Sequence, residues 1–332
     1  MKNKKKTVLV TGGAGFIGSH LAEYLVHKGF KVIVIDDLSN GSKKNISGII
    51  DKIKFIQESI LNVKKIKKYF KNVDYVFHLA ALSNIVPSIE NPKLFFDVNV
   101  SGTLNVLECC KEYRIKKILY TASSSSYGIP KKYPTSESEK INPVYPYALT
   151  KFQGEELVMH WGKVYKLNVV SARLFNVYGP RVRTSNNYGA MFGVFLAQKF
   201  HNKPLTIVGN GNQKRDFTFI SDVYRALYEL IISKKSNGKI YNIGSGKTVS
   251  INKVANLIGG KKVYISKRPG EPDMTYADIT KILKDIKWKP EIGIKEGVKI
   301  MLENIKYWEK APLWNKIKIV KATKTWFKYL SK

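Results

Sequence analysis

Val8-Leu9-Val10-Thr11-Gly12-Gly13-Ala14-Gly15-Phe16-Ile17-Gly18 is the stretch that decides the fold. The apolar run Thr7 to Thr11 reads as a buried strand, and the residues from Phe16 to about Lys28 read as a helix. Between them stands a Gly-x-x-Gly-x-x-Gly set. Gly12 lets the chain turn, Gly15 lets backbone approach a pyrophosphate, and Gly18 allows the helix to pack closely on the strand. The helix start then offers unpaired N–H groups and a positive dipole end to phosphates. A strand, this turn and a helix in that order predict a dinucleotide site.

The next strand, Lys31 to Ile35, runs into Asp36-Asp37. An acidic residue about twenty positions past the glycines accepts hydrogen bonds from the adenine ribose and repels a 2′-phosphate. Asp36 therefore argues for NAD over NADP; no arginine follows it, although Lys43 and Lys44 do. Further apolar runs at Lys54 to Gln57, Val73 to Leu79, Lys117 to Ala122 and Asn168 to Leu174 continue the strand series. Helical patterns at Lys64 to Phe70, Pro92 to Tyr113 and Tyr147 to Tyr165 lie between them. Fully apolar strands alternating with helices predict an α/β fold, a Rossmann-type doubly wound parallel sheet, with ligands at the carboxyl ends of its strands.

After Asn176 the texture changes, with glycine, proline and polar residues dense through Tyr178 to Gly189 and Gly209 to Asp216. Short elements are expected at Leu205 to Val208, Lys239 to Ile243 and Val263 to Ile265. We expect a dinucleotide-binding domain over 1–176, with a segment near 217–245 returning to it. A smaller, interleaved α/β substrate-binding domain is expected over most of 177–310, and a basic aromatic C-terminal helix over 311–332.

The chain has 332 residues and a formal charge of +32. Lysine supplies nearly all the excess, and the arginines are confined to positions 114, 173, 181, 183, 215, 225 and 268. The lysines are scattered rather than gathered in one stripe, so nucleic-acid binding is not expected; a positive surface attracts a nucleotide diphosphate instead. No apolar run reaches the ~18 residues of a membrane span, and the apolar run behind the basic start is too short for a signal peptide. Cys109 and Cys110 are adjacent and the only cysteines. They encode no disulfide framework and no metal site, which makes the reducing cytoplasm the expected location.

The chemistry is carried by Tyr147-Ala148-Leu149-Thr150-Lys151. A spacing of four on a helix puts both functional side chains on one face. A lysine ammonium beside a phenol favours phenolate, which predicts a Tyr147 pKa falling from ~10 toward neutrality. Such a tyrosine can take a proton from an alcohol while hydride leaves the same carbon.

Together these residues resemble the extended short-chain dehydrogenase/reductase family, specifically its NAD-dependent nucleotide-sugar epimerases of the UDP-galactose 4-epimerase type. The resemblance runs from Thr7 to about Met301. It includes the glycine turn, His78-Leu79-Ala80-Ala81, Asn99-Val100-Ser101-Gly102-Thr103, the serine run ending Tyr127-Gly128, and Tyr147-x-x-x-Lys151. It continues through Arg173-Leu174-Phe175-Asn176-Val177-Tyr178-Gly179-Pro180, Arg215-Asp216-Phe217, Tyr241-Asn242-Ile243-Gly244 and Tyr276-Ala277-Asp278.

By position, the resemblance implies NAD contacts at Gly12, Gly15, Phe16, Ile17, Gly18, Asp36, Asn40, Leu79, Ala80, Ala81, Asn99, Tyr147 and Lys151. Ser59 and Ile60 stand where the family has Asp-Ile or Asp-Val near the adenine, so Ser59 is a departure. Ser123 matches the catalytic serine, beside Tyr147 and Lys151. Ser123, Ser124, Tyr147, Asn176, Arg215, Arg268 and Thr275 match positions around the UDP-sugar. Arginine forks suit phosphate oxygens; the alternative for Arg215 is an ion pair with Asp216 or Asp222. His78 reads as a packed strand histidine.

The implied reaction is inversion at C4 of a UDP-hexose through a 4-keto sugar, with UDP-glucose/UDP-galactose as the first substrate pair. UDP-N-acetylglucosamine and UDP-glucuronate 4-epimerases are the alternatives, and Thr275, of intermediate size, leaves a 2-acetamido group open. Related 4,6-dehydratases carry Thr-Asp-Glu where this chain has Ser123-Ser124-Ser125, and decarboxylases carry a glutamate there. The serine run supplies no such acid and argues against both. A keto-sugar reductase would use the same Ser, Tyr and Lys. A non-catalytic NAD sensor would need none of them. The family usually forms homodimers, with helices before Tyr113 and after Tyr147 as candidate contacts. The tail's Trp308, Trp314, Ile317, Ile319, Val320, Trp326, Phe327, Tyr329 and Leu330 interleave with lysines. It either docks its apolar side on the protein, which is preferred, or contacts an anionic membrane.

Overall fold

The computed structural model describes residues 5–182 and 190–331; Arg183 to Gly189, part of the polar stretch after Tyr178, lie outside the described residues. The apolar runs become β1 (Thr7–Thr11), β2 (Lys31–Ile35), β3 (Ile53–Ile56), β4 (Tyr75–His78), β5 (Lys117–Ser123) and β6 (Val169–Leu174). With the strand Lys239–Ile243 they form one seven-stranded sheet. Its order is Lys239–Ile243, β6, β5, β4, β1, β2, β3, and every pairing is parallel.

The strand order reverses between β1 and β4, which opens a crevice at their carboxyl ends. Register brings the functional segments to one edge. Thr11 pairs with both Ile35 and His78, and Ser123 with Leu174. The residues that follow, Gly12, Asp36, Leu79 and Ser124, therefore emerge side by side.

The sheet is covered on both faces, as near-continuous apolar strands require. Alternation along β1 sends Val8 and Val10 into one core and Leu9 into the other. A third core lies around the parallel pair Leu205–Val208 and Lys262–Ile265. There Val194, Ile207, Val254, Met301 and Trp308 pack together.

The stretch expected as one helix over Pro92 to Tyr113 is interrupted. Pro92–Phe96 leads into a π turn at Asp97–Ser101 and then into Gly102–Glu112. The wider turn carries Asn99 inward. Nor is the tail one helix: it forms Lys316–Ala322 and Lys324–Leu330. The break falls at Thr323, whose hydroxyl donates back to the Ile319 carbonyl at 2.8 Å. Trp308, Trp314, Ile319 and Trp326 are buried while Ile317, Val320 and Tyr329 are exposed, so the tail docks its apolar side on the protein. Among the described residues no helix is long and apolar enough to cross a membrane.

His78 is fully buried between two threonines. The Thr103 hydroxyl donates to the Asn99 carbonyl at 2.7 Å, so it accepts from His78 Nε2 at 2.9 Å. Nδ1 then accepts from the Thr11 hydroxyl at 2.7 Å, and burial lowers the imidazole pKa to about 3. A neutral ring of fixed tautomer is a packing device, as the sequence reading holds. Cys109 and Cys110 are both buried and free.

Candidate active site

The glycine turn builds the first wall of a cavity of about 640 Å³ at the switch point. Gly12 has φ +70°, and a Cβ there would lie 2.7 Å from the Ala80 nitrogen. A Cβ on Gly18 would lie 2.1 Å from the Gly12 carbonyl oxygen. Both positions therefore exclude any side chain. Gly15 precedes the helix Phe16–His27, whose start has no side-chain cap among the described residues. Gly15, Phe16, Ile17 and Gly18 line the cavity, which gives an anion the helix's unpaired N–H groups.

Asp36 and Asn40 line the same cavity beyond the turn. The Asp36 carboxylate accepts from the Ala14 N–H at 2.9 Å and the Leu38 N–H at 2.8 Å. Burial pushes its pKa up, and these hydrogen bonds oppose the shift. A carboxylate has about four lone-pair sites, so Asp36 retains acceptor capacity for a ribose. Leu79, Ala80, Ala81 and Ile60 complete this end. A backbone cradle, a helix start and an acceptor beyond it fit a dinucleotide such as NAD.

Two of the expected positions lie off the cavity wall. Ser59 does not line the cavity; its hydroxyl accepts from the Leu61 N–H at 3.3 Å, and Glu58 and Ile60 face inward instead. Asn99 does not line it either. Its amide accepts from the Leu82 N–H at 2.8 Å and donates to the Leu82 carbonyl at 3.1 Å and to the Thr150 hydroxyl at 3.0 Å. Asn99 thus ties the loop after β4 to the helix that carries Tyr147. Both share a cause: chain position does not say which way a side chain turns.

Tyr147 and Lys151 lie in the first turns of the helix Pro146–Tyr165 and both face the cavity. Ser123 ends β5 and faces the same cavity. The serine run is a hydroxyl row. Ser123 Oγ lies 2.7 Å from Ser125 Oγ, and Tyr145 lines the cavity with them. The rings of Tyr145 and Tyr147 are stacked, 6.4 Å apart and 5° from parallel.

From the protein's own groups, apart from any charge of NAD, the Tyr147 pKa is shifted upward. Burial raises it, and only Ser123 opposes the rise. Burial also lowers the Lys151 pKa, to about 7, against the attraction of Glu155 one turn on. Its ammonium sits 4.2 Å from the centroid of the Tyr120 ring. Desolvation penalises each charge, and it outweighs the effect expected from the i, i+4 spacing.

A stability consequence follows. Between pH 7 and about 10 the unfolded lysine keeps its proton while the folded one has released it, so stability rises with pH. The slope from Lys151 alone should approach ~1.4 kcal/mol per pH unit in that window. Thermal unfolding at several pH values should show a flatter rise for Lys151→Met; equal slopes would refute the buried titration.

At the far end Asn176, Arg215, Arg268, Ser124 and Thr275 line the cavity. The Thr275 hydroxyl donates to the Asn176 side-chain oxygen at 2.6 Å and accepts from the Asp216 N–H at 3.1 Å. Arg215 pairs neither with Asp216 nor with Asp222. Its partner is Glu271, at 2.9 Å, with Arg268 3.9 Å from the same carboxylate. Asp216 instead accepts from Ser245, Gly246 and Ala277, and Asp222 binds Arg225. Glu271, Tyr145 and Trp326 are lining residues that the sequence reading misses. Only the position of Tyr145, two residues before Tyr147, hinted at its place.

Known proteins share this arrangement. Residues 8–244 match the NAD dependent epimerase/dehydratase family. A putative UDP-glucose 4-epimerase of Methanocaldococcus jannaschii is 38% identical over 300 residues, covering 88% of this chain and 96% of that protein. The UDP-glucuronic acid 4-epimerase of Bacillus cereus, solved with UDP-glucuronic acid and NAD, superimposes with a TM-score of 0.84 at 32% identity. That match covers 90% of this chain and 99% of the other. The UDP-N-acetylglucosamine 4-epimerase of Methanobrevibacter ruminantium, solved with UDP-N-acetylmuramic acid, gives a TM-score of 0.84 at 32% identity, covering 91% and 99%. By sequence, sheet topology and the glycine cradle, the chain belongs to the NAD-dependent epimerase/dehydratase family of enzymes.

Proposed function

We propose that this protein inverts C4 of a UDP-hexose, with UDP-glucose/UDP-galactose as the pair it turns over. The observation that carries the reading is Ser123 on one cavity wall with Tyr147 and Lys151, flanked by Ser124 and Ser125. The carboxylates lining the cavity stand elsewhere. Asp36, Asp37 and Glu58 follow β2 and β3, and Glu271 is bound by Arg215 and Arg268. Elimination or decarboxylation needs an acid or base beside the reacting hydroxyl, and a serine hydroxyl does not serve.

The cofactor, when bound, supplies a positively charged hydride acceptor and afterwards the hydride donor. Tyr147, as phenolate, takes the proton of the sugar 4-hydroxyl and later returns it to the same oxygen. Ser123 hydrogen-bonds that oxygen and shares the proton with Tyr147. Lys151 favours the phenolate whenever it is itself charged. Arg215 and Arg268 hold the diphosphate in exchange for Glu271, which leaves the 4-keto sugar free to present its opposite face.

Thr275 supports a second reading at the level of the sugar. A threonine on that wall leaves volume for a 2-acetamido group, so UDP-N-acetylglucosamine is the next substrate. NMR of the products from UDP-glucose, UDP-glucuronate and UDP-N-acetylglucosamine, with no cofactor added, decides between them. We expect the highest kcat/KM for UDP-glucose; turnover of none of the three would sink the epimerase reading.

A further inference from the structure

The C-terminal helix Lys324–Leu330 reaches the cavity from beyond the last element matched by sequence motifs. It lies along the helix Ile85–Glu90, where the Thr325 hydroxyl donates to the Glu90 carboxylate at 2.9 Å. Trp326 is 4% exposed, and its indole N–H donates to the Pro269 carbonyl at 2.7 Å. This anchors a bulky aromatic ring with its polar edge satisfied. The ring lines the same cavity as the catalytic candidates.

Its neighbours locate it within that cavity. The Arg268 guanidinium lies 5.3 Å from the centroid of one Trp326 ring, a cation–π contact. Tyr145 meets Trp326 at 6.4 Å with the rings 53° apart, and Tyr145 stacks on Tyr147. In a nucleoside-diphosphate hexose C1 is bonded to the phosphate and C4 lies across the ring. A hexose with its phosphate at Arg268 and C4 at Tyr147 must fill the space between them. Trp326 touches Arg268 at one end and, at the other, Tyr145, which stacks on Tyr147.

We infer that Trp326 forms a wall of the hexose subsite, and that the C-terminal helix is a working part of the substrate site. The inference rests on reading Tyr147 as the group that meets C4. Trp326 is also a positioning residue. By packing on Tyr145 it fixes the hydroxyl row that runs through Ser125 to Ser123. The helix's lysines remain in water, so the tail contributes its aromatic side to the site.

The test compares ligands with and without the hexose. In the NAD-loaded full chain, calorimetry with UDP and with UDP-glucose is joined to steady-state rates for Trp326→Ala and Trp326→Phe. Tyr329→Ala, on the same helix but 61% exposed, is the control. Trp326→Ala should weaken UDP-glucose binding and raise KM about tenfold, with UDP affinity changed less than about twofold. Trp326→Phe keeps an aromatic wall and a docked helix and should recover most of the loss; Tyr329→Ala should match wild type. Unchanged UDP-glucose affinity in Trp326→Ala, or equal weakening of UDP and UDP-glucose, would overturn the inference. Failure of wild type to turn over any UDP-hexose would instead sink the epimerase reading, and the binding ratios would still judge Trp326.

Discussion

Tyr147→Phe should cut the C4 inversion rate by about 10²–10⁴-fold, the range for loss of a positioned acid–base group. The ring of phenylalanine preserves the stack on Tyr145, 6.4 Å away and nearly parallel. Only the phenol oxygen goes, and with it the group that takes and returns the proton. The glycine turn and Asp36 are untouched, so bound NAD should remain stoichiometric. KM should change little, because the loss falls on an interaction realised in the transition state. Initial rates and the nucleotide content of the purified variant check both halves. An unchanged kcat would refute the role given to Tyr147.

The second large effect is on stability. Arg173, on β6, binds Glu155 through Nε at 3.1 Å to both oxygens and through a terminal nitrogen at 2.5 Å. The side chains are 4% and 1% exposed, so neither charge has water to fall back on. Arg173→Met would leave Glu155 with the Ser171 hydroxyl at 2.7 Å and, for a counter-charge, only Lys151, which burial already pushes toward its neutral form. Removing one partner of a buried pair costs about 3–5 kcal/mol, and replacing both by apolar groups is near neutral. Denaturant unfolding should therefore show a large loss for Arg173→Met and recovery in Arg173→Met/Glu155→Leu. Equal loss in both would mean that packing, not charge, holds this region. The double variant carries a functional mark as well. Glu155 is the carboxylate that opposes the fall of the Lys151 pKa, so Lys151 should release its proton still more readily without it.

These two effects come from features of unequal legibility. The strand–turn–helix at Gly12 to Gly18 could be read from sequence because its constraints are local. The turn needs φ +70° at Gly12, and the helix must pass within contact of that turn at Gly18. The sheet followed because fully buried parallel strands leave unbroken apolar runs. Tyr147 and Lys151 were visible because helix periodicity fixes their common face.

Whatever depends on tertiary placement was hidden. Ser59 and Asn99 occupy the right segments, but their side chains bind backbone at Leu61 and Leu82. The burial that opposes a lowered Tyr147 pKa was hidden because spacing reports proximity and says nothing of desolvation. Glu271 was not foreseen as the ion-pair partner of Arg215 because it is distant in sequence and reaches it only through the folded chain. Trp326 was seen as part of an aromatic, basic tail. Its place against Arg268 and Tyr145 depends on the break at Thr323 and on the Pro269 carbonyl.

The central claim is that hydride leaves and returns at C4 with no chemistry at C5. The direct measurement is NMR of UDP-glucose incubated with the purified protein in deuterium oxide, with no cofactor added. The expected result is an equilibrium mixture of UDP-glucose and UDP-galactose that retains protium at both C4 and C5. Deuterium at C5, or a 4-keto-6-deoxy sugar as product, would contradict it.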